Sequence, residues 1–139
     1  MYTLTLSKEH AHAVLNALEL YERIAMGQTQ EIARCFKNKN DTWQNQRAKR
    51  LEPLLEELKR ILFPDLPTNG YYGIMSERSG KQAHLCYEIF CSLRYCVAHN
   101  ETPLKSGEIP TVWHDIPILF PSQVKPEPQC HLSTDTRDK

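Results

Sequence analysis

Apolar residues recur at three- and four-residue steps through the first quarter of the chain. Ala11, Val14, Leu15, Leu18, Tyr21, Ala25, Ile32 and Phe36 trace one stripe between about residues 8 and 36, the spacing that keeps side chains on one face of an α-helix. Ser7 suits the N-cap of that helix, because its hydroxyl can accept from the free N–H groups of the first turn, and Glu9 suits the positive helix end. Glu19 and Arg23 fall four apart on the solvent side, placed to pair. Gly27 interrupts the stripe at a cost of about 1 kcal/mol against alanine, so it marks a close-packing point or a local kink. Upstream, Tyr2, Leu4 and Leu6 alternate with Thr3 and Thr5, which predicts a short half-buried strand.

Loop formers at residues 38–41 precede a second helix, with Asp41 and Gln44 spaced as a capping box. Pro53 has no N–H and crowds the carbonyl four residues back, which predicts a kink or two abutting helices, the second carrying Leu54, Leu55, Leu58, Ile61 and Leu62. Pro64 and Pro67 end the run. Residues 63–80 then form a longer connection than helices in a bundle usually need, and it carries the adjacent pair Tyr71 and Tyr72. Ser79 with Gln82 is a further capping box, and Ala83, Cys86, Tyr87, Phe90, Leu93, Arg94 and Val97 trace a third helix over about 80–99. Val112, Trp113, Ile116, Ile118, Leu119 and Phe120, set among prolines, read as short extended pieces able to pair with residues 2–6. The expected architecture is mainly α with α+β character: a bundle of three to four helices whose short N-terminal strand pairs with C-terminal extended segments. It forms a single helical domain over residues 1–120, followed by a disordered tail over 121–139, where Ser, Pro, Thr and charge lack periodicity.

Composition narrows the function classes. The 139 residues carry 17 basic and 17 acidic side chains, a formal net charge of zero, which excludes the uniformly basic build of a histone-like or ribosomal protein. Charge is nevertheless uneven. Arg34, Lys37, Lys39, Arg47, Lys49 and Arg50 face a single Asp41 within residues 34–50, with Phe36 and Trp43 between them. Such a strip suits an acidic protein surface, or phosphates with an aromatic stacking on a base, and it also reads as a solvated helix face. The sequence contains no run of apolar residues long enough to span a membrane and no secretory signal, so the expected location is the cytoplasm. The five cysteines, Cys35, Cys86, Cys91, Cys96 and Cys130, are odd in number, and three recur every five residues, roughly 140° apart around a helix. They read as half-buried thiols in a reducing compartment. His10 with His12, His114 with Asp115, and Cys130 with His131 lack metal-ligand spacing, and no glycine-rich phosphate loop or nucleophile elbow is present, so neither metal nor cofactor is expected. Glu19 and Glu22, three apart on one helix, read as a surface pair.

Arg94-Tyr95-Cys96-Val97-Ala98-His99 resembles the R-x4-H signature of HEPN ribonucleases. That resemblance implies a metal-independent ribonuclease in which Arg94 stabilises charge on a scissile phosphate and His99 moves protons, with a homodimer as the assembly that brings the pairs together. On an ideal helix the two residues lie roughly 140° apart, so they converge only where the helix frays after Val97. The alternative reading has Arg94 snorkelling from the core edge or paired with a carboxylate, and His99 stabilising a helix C-terminus.

A longer resemblance runs from about residue 14 to 120. Leu20-Tyr21-Glu22-Arg23-Ile24-Ala25-Met26-Gly27-Gln28 followed by Glu31-Ile32, then Gly70-Tyr71-Tyr72-Gly73-Ile74, then Ala83 to Arg94, then Glu101-Thr102-Pro103, looks like small accessory proteins of temperate phages and prophages. It implies a protein that binds and inhibits a host or defence complex, CRISPR-type machines included. An inhibitor of that kind needs a scaffold and anchors, not an active site. The expected contact surface is Arg34, Lys37, Lys39, Trp43, Arg47, Lys49 and Arg50 together with Tyr71 and Tyr72. A nucleic-acid-binding regulator is the third reading.

Overall fold

The computed structural model describes residues 3–37 and 42–101. They form four helices, α1 (Lys8–Ala25), α2 (Glu31–Arg34), α3 (Thr42–Leu62) and α4 (Lys81–Glu101), with a single 3-10 turn (Glu77–Ser79) ahead of α4. The mainly helical expectation holds. The N-terminal strand does not: residues 3–6 are irregular and Leu4 is exposed. Period-two alternation makes a strand only where a neighbouring strand accepts its hydrogen bonds, and among the described residues none does. The extended pieces expected over residues 112–120 and the tail expected over 121–139 lie outside the described residues.

α1 begins as its sequence predicts, with the Ser7 hydroxyl accepting from the His10 N–H at 3.3 Å. It ends eleven residues earlier than the apolar stripe does. Gly27 takes a φ of +89°, its N–H bonds the Ile24 carbonyl, and the Gln28 N–H bonds the Arg23 carbonyl, both at 2.9 Å. This is the Schellman geometry, in which a left-handed residue closes the last turn and satisfies carbonyls that would otherwise be orphaned. Gly27 is therefore a terminator, and Ile32 and Phe36 belong to the segment beyond it. The position is closely packed as well, since a Cβ at Gly27 would stand 2.6 Å from Leu66 Cδ1.

α3 runs unbroken through Pro53, so the two-helix alternative is not adopted. The Lys49 carbonyl, which loses its partner to the ring, belongs to an exposed residue and can turn to water. Ahead of α4, Ser79 is committed elsewhere: its hydroxyl donates to the Gly73 carbonyl at 2.8 Å, and Gly80, at φ +82°, carries the chain into the helix.

The principal helix packings are α1 on α4 and α2 on α3. They build two apolar clusters. Leu15, Phe90 and Cys91 form the first, joined by Leu18, Tyr87, Leu93 and Val97; Ala33, Ala48 and Leu55 form the second, joined by Ile32 and Leu51. Between them the fully buried Thr29 hydroxyl donates to the Leu55 carbonyl at 2.9 Å, tying the α1–α2 link to α3. No helix among the described residues is long and apolar enough to cross a membrane.

Candidate functional site

Residues 63–76 reach out from α3 and return to α4, and polar bonds from three directions fix their path. Lys59 is buried on α3, 3% exposed, and its ammonium donates to the carbonyls of Thr68 at 2.7 Å and Gly70 at 2.5 Å. The Tyr72 N–H donates to the Met26 carbonyl at 2.9 Å, just past α1. On the α4 side, Ser79 holds Gly73 and His84 Nε2 lies 3.2 Å from the Ser76 carbonyl. Tyr72 is locked by its side chain too: its hydroxyl donates to Asp65 at 2.6 Å, its ring meets Phe63 edge-on at 6.0 Å, and Arg78 lies over it while pairing with Asp65. Tyr71 and Met75 remain outward, 61% and 62% exposed. The two adjacent tyrosines thus divide the work, Tyr72 holding the loop and Tyr71 facing solvent.

The basic strip is less concentrated than its sequence suggests. Arg34 pairs with Glu31 at 2.7 Å and Lys37 with Glu52 at 3.2 Å, which leaves these two cations locally balanced. Arg47, Lys49 and Arg50 are exposed along the first half of α3. Lys39 and the Trp43 side chain lie outside the described residues. A groove of about 460 Å³ runs between α1 and α2, lined by Asn16, Leu20 and Cys35 and by the self-paired couples Glu19–Arg23 and Glu31–Arg34. Its charges satisfy one another.

Arg94 is half-buried, with its guanidinium over the Phe90 ring at 5.1 Å, one helical turn back along α4. The α4 backbone stays helical through Glu101, so the fraying that would bring residues 94 and 99 together does not occur within the chain. Their backbone positions stay roughly 140° apart around the axis, and the His99 side chain lies outside the described residues. Among the described residues no three His, Cys, Asp or Glu side chains gather as a metal site. Cys35 is exposed, while Cys86 and Cys91 are buried in α4, where burial pushes the Cys86 thiol above its ordinary pKa.

Spacing alone presents Glu22 as half of a surface pair, and the structure corrects this. It is 5% exposed and its Oε2 has no hydrogen-bond partner. Loss of hydration, reinforced by the Glu19 charge and opposed by Arg23 and Arg94, pushes its carboxyl up to about 7. The signal that could have found it lies in the periodicity, since Ala11, Leu15, Leu18 and Glu22 share one helical face.

These features define a mainly helical protein with an anchored loop and a charged helix. Comparison with protein-family models, with curated proteins and with solved structures finds no match.

Proposed function

We propose that this is a phage-type accessory protein acting by protein–protein interaction, binding and inhibiting a host or defence complex of the CRISPR kind. The observation that supports it is the loop, held by polar bonds to the residue after α1, to α3 and to the turn ahead of α4, while Tyr71 and Met75 stay open to solvent. Ordering a side chain on binding costs about 0.5–1.5 kcal/mol, and a loop already fixed avoids part of that cost. Aromatic and thioether groups are also the anchors that protein interfaces favour. The exposed Arg47, Lys49 and Arg50 supply a charged rim suited to an acidic surface.

The test is affinity capture from host lysate with identification by mass spectrometry, followed by binding of the purified complex. Tyr71→Ala with Met75→Ser should leave folding intact and weaken capture at least tenfold, and reversing Lys37 and Lys49 should weaken it further in low salt. A specific partner retained equally by all variants would move the surface elsewhere. Cleavage of single-stranded RNA by the wild type, abolished by His99→Ala, would replace this reading with the ribonuclease.

A further inference from the structure

α3 has one face that the other described residues leave bare. Ala48, Leu51 and Leu55 turn to α2 and Lys59 turns to the loop, yet Leu54, Leu58, Ile61 and Leu62 are all exposed, Leu54 and Ile61 by 66% and 68%. Positions 54, 58 and 61 fall within roughly 60° of one another around the helix, and Arg47 falls in the same sector. Large aliphatic side chains in a continuous strip on a helix are costly to leave in water and are the usual mark of a contact surface.

The charges beside the strip select its occupant. Arg50 and Glu57 lie on the same flank, within roughly 20° of one another around the axis. From Thr42 to Leu51 the helix carries only cations among its charged residues, Arg47, Lys49 and Arg50, whereas Glu52, Glu56 and Glu57 lie beyond them, ahead of Lys59 and Arg60 in the last turn. A helix with one cationic end and one acidic segment complements itself when turned end for end. In an antiparallel pair the residues of one flank meet the same flank of the other helix, and a two-fold axis makes each contact twice. Placing that axis at Leu54 sets Arg50 of each chain near Glu57 of the other and Arg47 near Ile61, whose neighbourhood its aliphatic stem can cover.

We infer that α3 is a self-association surface, pairing antiparallel with α3 of a second copy about an axis near Leu54. The Arg60 contact to Glu57, 3.2 Å between exposed groups, does not compete strongly, because solvent screens an exposed pair of this kind and its net contribution is small. The strip is a single helix face, smaller than the roughly 800 Å² per partner of a standard interface, so the dimer is a reversible one of micromolar strength. It uses neither Tyr71 nor Met75; of the cations on the first half of α3 it engages Arg47 and Arg50, while Lys49 lies roughly 140° from Leu54 around the helix and stays open.

Sedimentation equilibrium of the purified full chain, from micromolar to sub-millimolar concentration, reads it directly. Wild type should pass from monomer to dimer in that range. Ile61→Glu should hold it monomeric with an unchanged circular dichroism spectrum and melting temperature, since the side chain is exposed. Arg50→Glu and Glu57→Arg should each weaken dimerisation about tenfold, because like charges then meet at two places, and the two changes together should restore the wild-type constant to within about threefold. A chain that stays monomeric at every concentration overturns the inference. So does a dimer indifferent to Ile61→Glu, or one that the paired reversal fails to rescue.

Discussion

The ammonium of Lys59 lies 2.5 Å from the Gly70 carbonyl, a buried cation answered by the chain's own backbone. A second carbonyl, that of Thr68 at 2.7 Å, completes the arrangement. Lysine serves here because its long stem can be buried while its ammonium still reaches two loop carbonyls with the donors it carries. Removing the ammonium strands both acceptors. Lys59→Met should therefore lower stability by about 1–2 kcal/mol, read by urea denaturation. Amide exchange at Gly70 and Tyr72 should accelerate more than in α4.

Gly27 carries two constraints that can be measured apart. Its φ of +89° disfavours any Cβ by about 1–2 kcal/mol, and the contact with Leu66 adds a steric part. Gly27→Ala should destabilise by more than the conformational cost alone. In a double-mutant cycle with Leu66→Ala the two losses should sum to more than the combined variant shows, since the smaller residue makes room. Strict additivity would mean that the backbone carries the whole effect.

Glu22 makes stability fall as pH rises. Its carboxyl is pushed from 4.5 up to about 7, so between those values the folded protein holds a proton that the unfolded chain has released. The contribution is fully present below about pH 4.5, declines through the window and is gone above about 7. The groups around it are Glu19 and Arg23 on α1 and Arg94, Tyr87 and Cys86 on α4. Glu22→Gln should flatten this dependence and raise stability above pH 7 by about 2–3 kcal/mol, followed by denaturation across the pH range. An unchanged profile would place the titration elsewhere.

Tyr72→Phe offers a contrast. The lost hydroxyl bond to Asp65 is exposed, so the change should cost no more than about 1 kcal/mol by thermal melting, and partner capture through Tyr71 should persist.

Helix existence was legible because it rests on local spacing and local capping: Ser7, the run from Thr42 to Leu62, and the stripe from Ala83 to Val97 all lie where the pattern places them. What misled was the same rule carried past its reach. A stripe continuing through Ile32 and Phe36 kept phase across Gly27 by coincidence, and only backbone geometry shows that the glycine turns the chain. Ser79 and Gln82 have capping-box spacing, but a carbonyl six residues upstream claimed the serine. Glu22, Lys59 and the division of labour between Tyr71 and Tyr72 depend on neighbours distant in sequence, which a single chain does not encode as pattern. The same distance leaves the exposure of the α3 strip unread: apolar spacing announces a face without naming what covers it.

The two apolar clusters share no residue, and Met26 to Thr29 form the narrow band between them. Among the described residues the two clusters are coupled through that band, by way of the Gly27 turn, the Met26 carbonyl that receives Tyr72, and the Thr29 hydroxyl on Leu55, and through the loop that Lys59 ties to α3 and Ser79 ties to the turn ahead of α4. Strain applied to α2 and α3 by anything that grips them can open that half while the α1–α4 pair stays shut. The turn that ends the first helix is thus one of the two seams along which the fold can part.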